Sequence, residues 1–293
     1  MSEDPRWPRA SQWLAGGGPG PVDLAVLGVP AHRTSLSATR ADATPAAIRE
    51  VLARYSTYSW TNDVDVAELA VRDLGDVTDP DGPEGEIRVG EAVRLADARV
   101  LIALGGDNSI TYSVMQARHV DLPAAGLITL DAHHDLRDGA SNGSPVRRLV
   151  EAGLPGTQIV QIGIADFSNS REYAARARDL GITVITRDAL RRRSIGDVMA
   201  EALGVAGQGG GDIHVDLDAD VCDRSAVPGC PAAAPGGLTA DELRQVALHA
   251  GRSPRVSSLD ITEIDALADA PDQRTVRLGA LLVLEAAVGL ALR

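Results

Sequence analysis

Short apolar runs recur along the chain, each followed by a longer stretch whose apolar residues repeat at helical spacing. The runs fall at residues 22–29, 68–74, 100–104, 126–130, 158–164, 183–186, 213–217 and 256–261. They are too short for buried helices and are bounded by Gly, Pro, Asn and Asp, so they read as strands. Between them, Thr44-Pro45 reads as an N-cap followed by proline at the first helical position, opening a helix over 46–55. Ser168 or Asn169 can cap a helix through Asp179, and Thr239 opens one over 240–250 with Asp241 and Glu242 in its first turn. Residues 273–292 form a long apolar helix suited to covering a sheet. This alternation predicts an α/β fold whose mostly parallel sheet is covered by helices. No repeat or linker divides the chain, so 21–293 is expected to be a single domain. Residues 1–20, polar and rich in Gly and Pro, read as a flexible lead-in.

In an open parallel sheet, ligands collect outside the carboxyl ends of the strands. The acidic clusters of this chain follow strand runs: Gly105-Gly106-Asp107-Asn108, Asp131 to Asp135, Asp218 to Asp223, and Asp260 to Asp265. In Asp131-Ala132-His133-His134-Asp135, side chains two apart on an extended segment point to one side, so Asp131, His133 and Asp135 can converge on a cation. A solvated loop is the plain alternative. Asp216-Leu217-Asp218-Ala219-Asp220 is a second such end, with an acidic turn as its alternative. Together the two supply four carboxylates and a His. That mixture suits Mn²⁺, with Zn²⁺, Fe²⁺ or Ni²⁺ less suited in the absence of a thiolate. Paired cations can activate water at neutral pH. Gly105-Gly106 could form a phosphate-binding turn, but the three spaced glycines of a dinucleotide site are missing.

Composition narrows the chemistry. The hydrophobic fraction of 44% is ordinary and aromatics make up 3%, so the core must be aliphatic. The formal charge of −13 argues against nucleic acid, which needs a basic face. No lysine occurs among the 293 residues, which excludes a Schiff-base lysine and a Walker A nucleotide site. No apolar run approaches the roughly 18 residues of a membrane span, and no secretory leader is expected. Cys222 and Cys230 do not make a disulfide framework, so a reducing cytoplasm is the expected compartment.

The ordered motifs Gly105-Gly106-Asp107-Asn108-Ser109, Asp131 to Asp135, Asp218-Ala219-Asp220-Val221-Cys222-Asp223 followed by Val227-Pro228-Gly229, and Asp260-Ile261-Thr262-Glu263-Ile264-Asp265 resemble the ureohydrolase family of arginases and agmatinases. The resemblance runs from Gly28 and Thr44 to Arg49 through the C-terminal helix, nearly the whole chain. It implies a three-layer α/β/α, arginase-like fold, a trimer or hexamer of identical chains, and two Mn²⁺ ions per chain. By position, Asp131, His133, Asp135, Asp218 and Asp220 match metal ligands. Counting back from Val227-Pro228-Gly229 favours Asp218 and Asp220 over Asp216. Asp135 and Glu263 match catalytic carboxylates, Glu263 also pairing with the cationic end of the substrate. Asp73 and Asp76 match a supporting strand-end pattern. Asn108 is a departure, since most members place a ligating His there. Its amide oxygen could still ligate, or the residue could cap the next helix.

The loop after the His cluster carries Arg137, Asn142, Ser144 and Arg147 but no His. Arginases and agmatinases usually have a His here, and the loop is more similar to that of formimidoylglutamases, as is Arg274 to Leu278. The resemblance therefore implies hydrolysis of N-formimino-L-glutamate to L-glutamate and formamide, in histidine degradation. Arg137 or Arg147 would meet a substrate carboxylate, with Asn142 and Ser144 as further binding positions. Surface pairing with Asp138 or Glu151 is the plain alternative for both arginines. An amidinohydrolase releasing urea from agmatine or guanidinobutyrate is the second reading. A metal-poor, non-catalytic member of the family is the third, resting on Asn108.

Overall fold

The computed structural model describes residue 4, residues 6–18 and residues 20–293. Among these residues the strands are β1 (Val22–Val29), β2 (Tyr58–Ser59), β3 (Val64–Asp65), β4 (Val71–Asp76), β5 (Ala98–Gly105), β6 (Gly126–Leu130), β7 (Ile159–Ile164), β8 (Thr183–Thr186), β9 (Ile213–Asp218) and β10 (Val256–Thr262). The helices are α1 (Ala10–Ala15), α2 (Thr44–Val51), α3 (Gly82–Arg94), α4 (Ile110–Arg118), α5 (Pro145–Glu151), α6 (Arg171–Asp179), α7 (Arg187–Leu190), α8 (Ile195–Ala206), α9 (Ala240–Arg252) and α10 (Arg274–Ala291). Eight strands form one sheet in the order β4-β1-β5-β10-β9-β6-β7-β8, every adjacent pair parallel. A small antiparallel hairpin joins β2 to β3.

Helices cover both faces of the sheet, giving three layers. Val100, Ile102 and Leu104 of β5 pack with residues of α2, α9 and α10, while Leu101 and Ala103 pack with α3 and α4. The same alternation splits the central strands by polarity. Ile213, Val215 and Leu217 of β9 and Leu259 and Ile261 of β10 join the first, aliphatic side. Their neighbours His214, Asp216, Ser258 and Asp260 are fully buried, as are Thr129 of β6 and Gln161 of β7. Register aligns Asp260 with Asp216, Asp216 with Thr129, and Thr129 with Gln161, so a polar row crosses four strands inside the core. Burying such groups is costly unless they are paired. His214 Nδ1 lies 2.8 Å from Ser258 Oγ and its Nε2 lies 3.1 Å from Asp260 Oδ2, with His119 Nε2 2.9 Å from the same serine hydroxyl.

Several local expectations shift. Residues 66–68 form a 3-10 turn, with the Asp65 carboxylate accepting from Ala67 N, so the strand predicted at 68–74 begins later, at Val71. Thr44 lies inside α2 rather than capping it. Its hydroxyl donates to the Ile264 carbonyl and accepts from Ala266 N, tying the helix to the segment after Glu263. The cap of α6 is Ser170, because the Asn169 side chain is engaged elsewhere. Thr239 does cap α9, in a reciprocal pair with Glu242. The lead-in predicted over 1–20 contains α1, whose Ala10 and Leu14 are buried; residues 1–3, 5 and 19 lie outside the described residues.

The turn after β5 depends on close backbone approach at Gly106, where an added Cβ would stand 1.8 Å from the Ala31 carbonyl oxygen. Gly106→Ala should therefore lower stability by roughly 1–3 kcal/mol through forced backbone displacement. Gly204→Ala, on an exposed helical position with open space, should be neutral or stabilising by about 0.5–1 kcal/mol. Thermal unfolding of the two variants checks the contrast, and equal midpoints would show that this approach carries no strain.

Candidate metal centre

Four adjacent central strands, β5, β10, β9 and β6, deliver polar residues to one end of the sheet. Asp131 follows β6, Asp218 ends β9, Asp220 sits on the 3-10 turn Ala219–Val221, Glu263 follows β10, and Asn108 lies beyond the turn after β5. All five are buried. Strand alternation does not bring Asp131, His133 and Asp135 together, because β6 stops at Leu130. The segment turns instead: Asp131 Oδ1 accepts from His133 N at 2.6 Å, and Asp135 has a φ of 53°. Asp220 Oδ1 accepts from Ala132 N at 3.0 Å, locking the two acidic segments together.

Oxygen or nitrogen ligand atoms of Asp131, His133 and Asp220 lie within 4.8 Å of one another, a grouping that could hold a metal ion. His133 Nδ1 is 2.7 Å from Asp220 Oδ2. Asp135 and Asp218 line one cavity with His133 and Asp220. The charges are badly matched without a cation. Burial and neighbouring carboxylates raise Asp131 and Asp218 well above the usual range, and likewise raise Asp135 to about 7. Burial alone would depress His133, but its hydrogen bond to Asp220 and the surrounding carboxylates win and raise it to about 9. Asp220 is lowered despite its burial, because His133 compensates it. Protons stand in for positive charge that a divalent cation would supply, so the donor set fits a hard or borderline metal ion.

Asn108 is placed as a clamp. Its Nδ2 donates to Asp135 Oδ2 at 2.6 Å, and its backbone N donates to Glu263 Oε1 at 2.8 Å. The oxygen expected to ligate accepts from Thr111 at 2.8 Å and Thr262 at 3.1 Å. Two hydroxyls thus occupy both lone pairs of Oδ1. Nor does Asn108 cap α4, whose N-cap is Ser109.

A cavity of about 380 Å³ opens over these groups, with Glu263, Asn142, Arg137, His134, Ser168 and Tyr173 among its lining. Glu263 takes Asn108 N and Asn142 Nδ2 on Oε1, and its Oε2 has no protein partner among the described residues. Burial and Asp107 raise it to about 8. Asn142 also accepts from Leu36 N, joining a second loop to the rim. Arg137 is exposed at the mouth, and its guanidinium makes no hydrogen bond or ion pair among the described residues. Arg147 and Ser144 lie outside the cavity lining. Arg147 spends its nitrogens on the Arg137 and Gly139 carbonyls and on Glu151, bracing the loop. Ser144 is fully buried and bonds within the turn to Ser141. Sequence reasoning missed His134, Asn169 and Gln161. His134 is the residue that period-two reasoning discards, although it lies between two candidate ligands.

The raised groups give a stability profile with a definite sign. Asp135, Glu263 and His133 all bind protons more tightly in the folded state, at about 7, 8 and 9 against 3.8, 4.5 and 6.5. Metal-free protein should lose their stabilisation as pH rises from about 4, where the unfolded carboxylates ionise, to about 9, where folded His133 deprotonates. Asp220, being lowered, acts only at the acid extreme. A cation competes with these protons, so the midpoint gap between Mn²⁺-loaded and EDTA-treated protein should widen between about pH 6 and pH 8.5. A constant gap would mean that metal does not bind these groups.

The sequence profile of the Arginase family matches residues 22–289. The chain is 38% identical to a formimidoylglutamase of Halalkalibacterium halodurans over 255 residues, covering 83% of this chain and 80% of that one. It superposes on the crystal structure of formimidoylglutamase from Bacillus subtilis with a TM-score of 0.92 at 32% identity, over 100% of this chain and 94% of that one. A Trypanosoma cruzi formiminoglutamase crystallised with Mn²⁺ shares the fold at a TM-score of 0.87 and 24% identity, over 98% and 99% of the two chains. This chain belongs to the arginase family.

Proposed function

We propose that the protein is a formimidoylglutamase, hydrolysing N-formimino-L-glutamate to L-glutamate and formamide with two Mn²⁺ ions. The observation that carries the reading is the polarity of the cavity: an acidic floor with one unpaired guanidinium at its mouth. N-formiminoglutamate has the matching polarity, a cationic amidine at one end, a carboxylate on the carbon that bears it and a second carboxylate at the far end. Agmatine is cationic at both ends, so Arg137 would repel it, and the loop lacks the His that agmatinases usually carry. Guanidinobutyrate, with a single carboxylate, remains the nearer competitor.

Asp131, His133, Asp135, Asp218 and Asp220 would hold the metal, which supplies Lewis acidity and a water of lowered pKa when bound. The chain's own groups do the rest. Glu263, anchored through Oε1, offers Oε2 to an amidine N–H and stabilises positive charge there. Asn108 fixes Oδ2 of Asp135, leaving the carboxylate oriented to take the proton of the attacking water. Water adds to the formimino carbon, the bond from that carbon to the glutamate nitrogen breaks, and the proton passes to the departing amine. Arg137 holds a carboxylate, which fixes that carbon over the floor. Residues 21–293 are proposed to act as one catalytic unit, in a cytoplasmic homo-oligomer of three or six chains.

Purified protein loaded with Mn²⁺ should release formamide and glutamate in equal amounts. Brisk cleavage of agmatine or guanidinobutyrate without turnover of the formimino compound would overturn the substrate assignment, and failure to take up metal would favour a non-catalytic protein. Arg137→Ala should raise KM roughly tenfold to hundredfold with kcat little changed, the loss of one charged hydrogen-bond pair. Arg147→Ala should lower the melting temperature and leave KM near the wild-type value. The reverse pattern would move carboxylate binding to Arg147.

A further inference from the structure

His134 lies between two candidate metal ligands, yet its ring is held in an arrangement of its own. Gln161 Nε2 donates to the His134 carbonyl at 2.8 Å, which fixes the amide orientation, since only that nitrogen can donate. Gln161 Oε1 therefore faces His134 Nδ1, 2.7 Å away, and an amide oxygen only accepts. Nδ1 must carry the proton, so Nε2 presents a lone pair. The backbone is equally fixed: Asn169 Oδ1 accepts from His134 N at 2.9 Å, while Asn169 Nδ2 donates to Ala132 O at 2.9 Å. Nε2 has no hydrogen-bond partner among the described residues, is not among the sealed buried atoms, and belongs to a residue lining the cavity. A ring oriented from both ends around an open acceptor fits a ligand N–H better than it fits core packing.

We propose that His134 is a substrate-binding residue whose Nε2 accepts the N–H of the substituted amidine nitrogen, the atom that becomes the amine of glutamate, with Gln161 as the positioning residue that sets its tautomer. The proposal rests on the formimino reading. The amidine has two nitrogens, and Glu263 serves the terminal one. A second acceptor at the substituted nitrogen would fix the plane of the amidine and present one face of its carbon to the attacking water. It would also select for a ligand with an N–H beside its carboxylates, which glutarate lacks and glutamate has.

The test compares His134→Met and His134→Gln, side chains of similar length of which only the second has an oxygen acceptor, in Mn²⁺-loaded protein. For His134→Met, kcat/KM on N-formimino-L-glutamate and inhibition by L-glutamate should each weaken about tenfold, the ratio supplied by one hydrogen bond. Inhibition by glutarate should stay unchanged and metal content should stay at the wild-type value. His134→Gln should keep most of the affinity for glutamate. Gln161→Leu, which frees the tautomer, should reduce the discrimination between glutamate and glutarate without loss of metal. Equal losses for glutamate and glutarate, equal losses in the Met and Gln variants, or no change in any of them overturns the proposal. Lack of wild-type turnover is a separate result: it removes the formimino reading, and the role of His134 falls with it.

Discussion

The arrangement of this protein depends on one electrostatic constraint: a concentration of buried carboxylates that cannot all be ionised without added positive charge. Asp131, Asp135, Asp218, Asp220 and Glu263 crowd one end of the sheet, with Asp216 and Asp260 directly beneath them. Single buried charges cost several kcal/mol each unless paired. Here the nearby cationic partner is His133, which is why its imidazole binds a proton far more tightly than usual. Protons compensate part of this charge, and the oxygen and nitrogen donors gathered there form a group that could hold a metal ion in their place.

The sheet reconciles this charge with a stable core by separating polarity between its faces. Along β9 and β10, aliphatic side chains take one face and His214, Asp216, Ser258 and Asp260 take the other. The aliphatic face carries the packing of α2, α9 and α10. The polar face leads, through the Thr262 hydroxyl, to the Asn108 oxygen and so to Asp135. Ser258, His214 and Asp260 line up like a hydrolytic triad, but all three are fully buried and bond to one another beneath the candidate metal centre. Asp216 Oδ2, Asp260 Oδ1 and the Thr129 hydroxyl have no hydrogen-bond partner among the described residues.

Above the candidate metal centre, charge changes sign. Glu263 and the carboxylate floor favour a cation, while Arg137 at the rim favours an anion. The loop over residues 137–147 is stiffened so that this contrast persists: Arg147 ties down its carbonyls and Ser144 closes its turn. Arg137 packs its stem over Gly143, where an added Cβ would stand 2.8 Å from Arg137 Cδ. Two of the residues first considered for substrate contact thus shape the residue that remains free to make it.

Strand positions, the α/β class and the end of the sheet that holds the site were legible because they follow from local periodicity and from where Asp, Asn and Gly interrupt it. β1, β6 and β8 begin and end where the apolar pattern does. The gathering of Asp and His at that end was legible for the same reason, because Asp131 to Asp135 and Asp218 to Asp220 directly follow apolar runs. Direction was not legible. Sequence spacing treats Asp131 to Asp135 as extended, and only the folded chain shows it turning, with Asp135 at positive φ and His134 brought to the cavity wall. Asn108 meets Asp135 and Glu263 from segments far apart in the chain, and a hydrogen bond depends on distance and angle that spacing cannot supply. The sequence by itself determined which chemistry gathers at the sheet edge. Tertiary structure alone decided which side chains are spent holding one another and which are left free for a ligand.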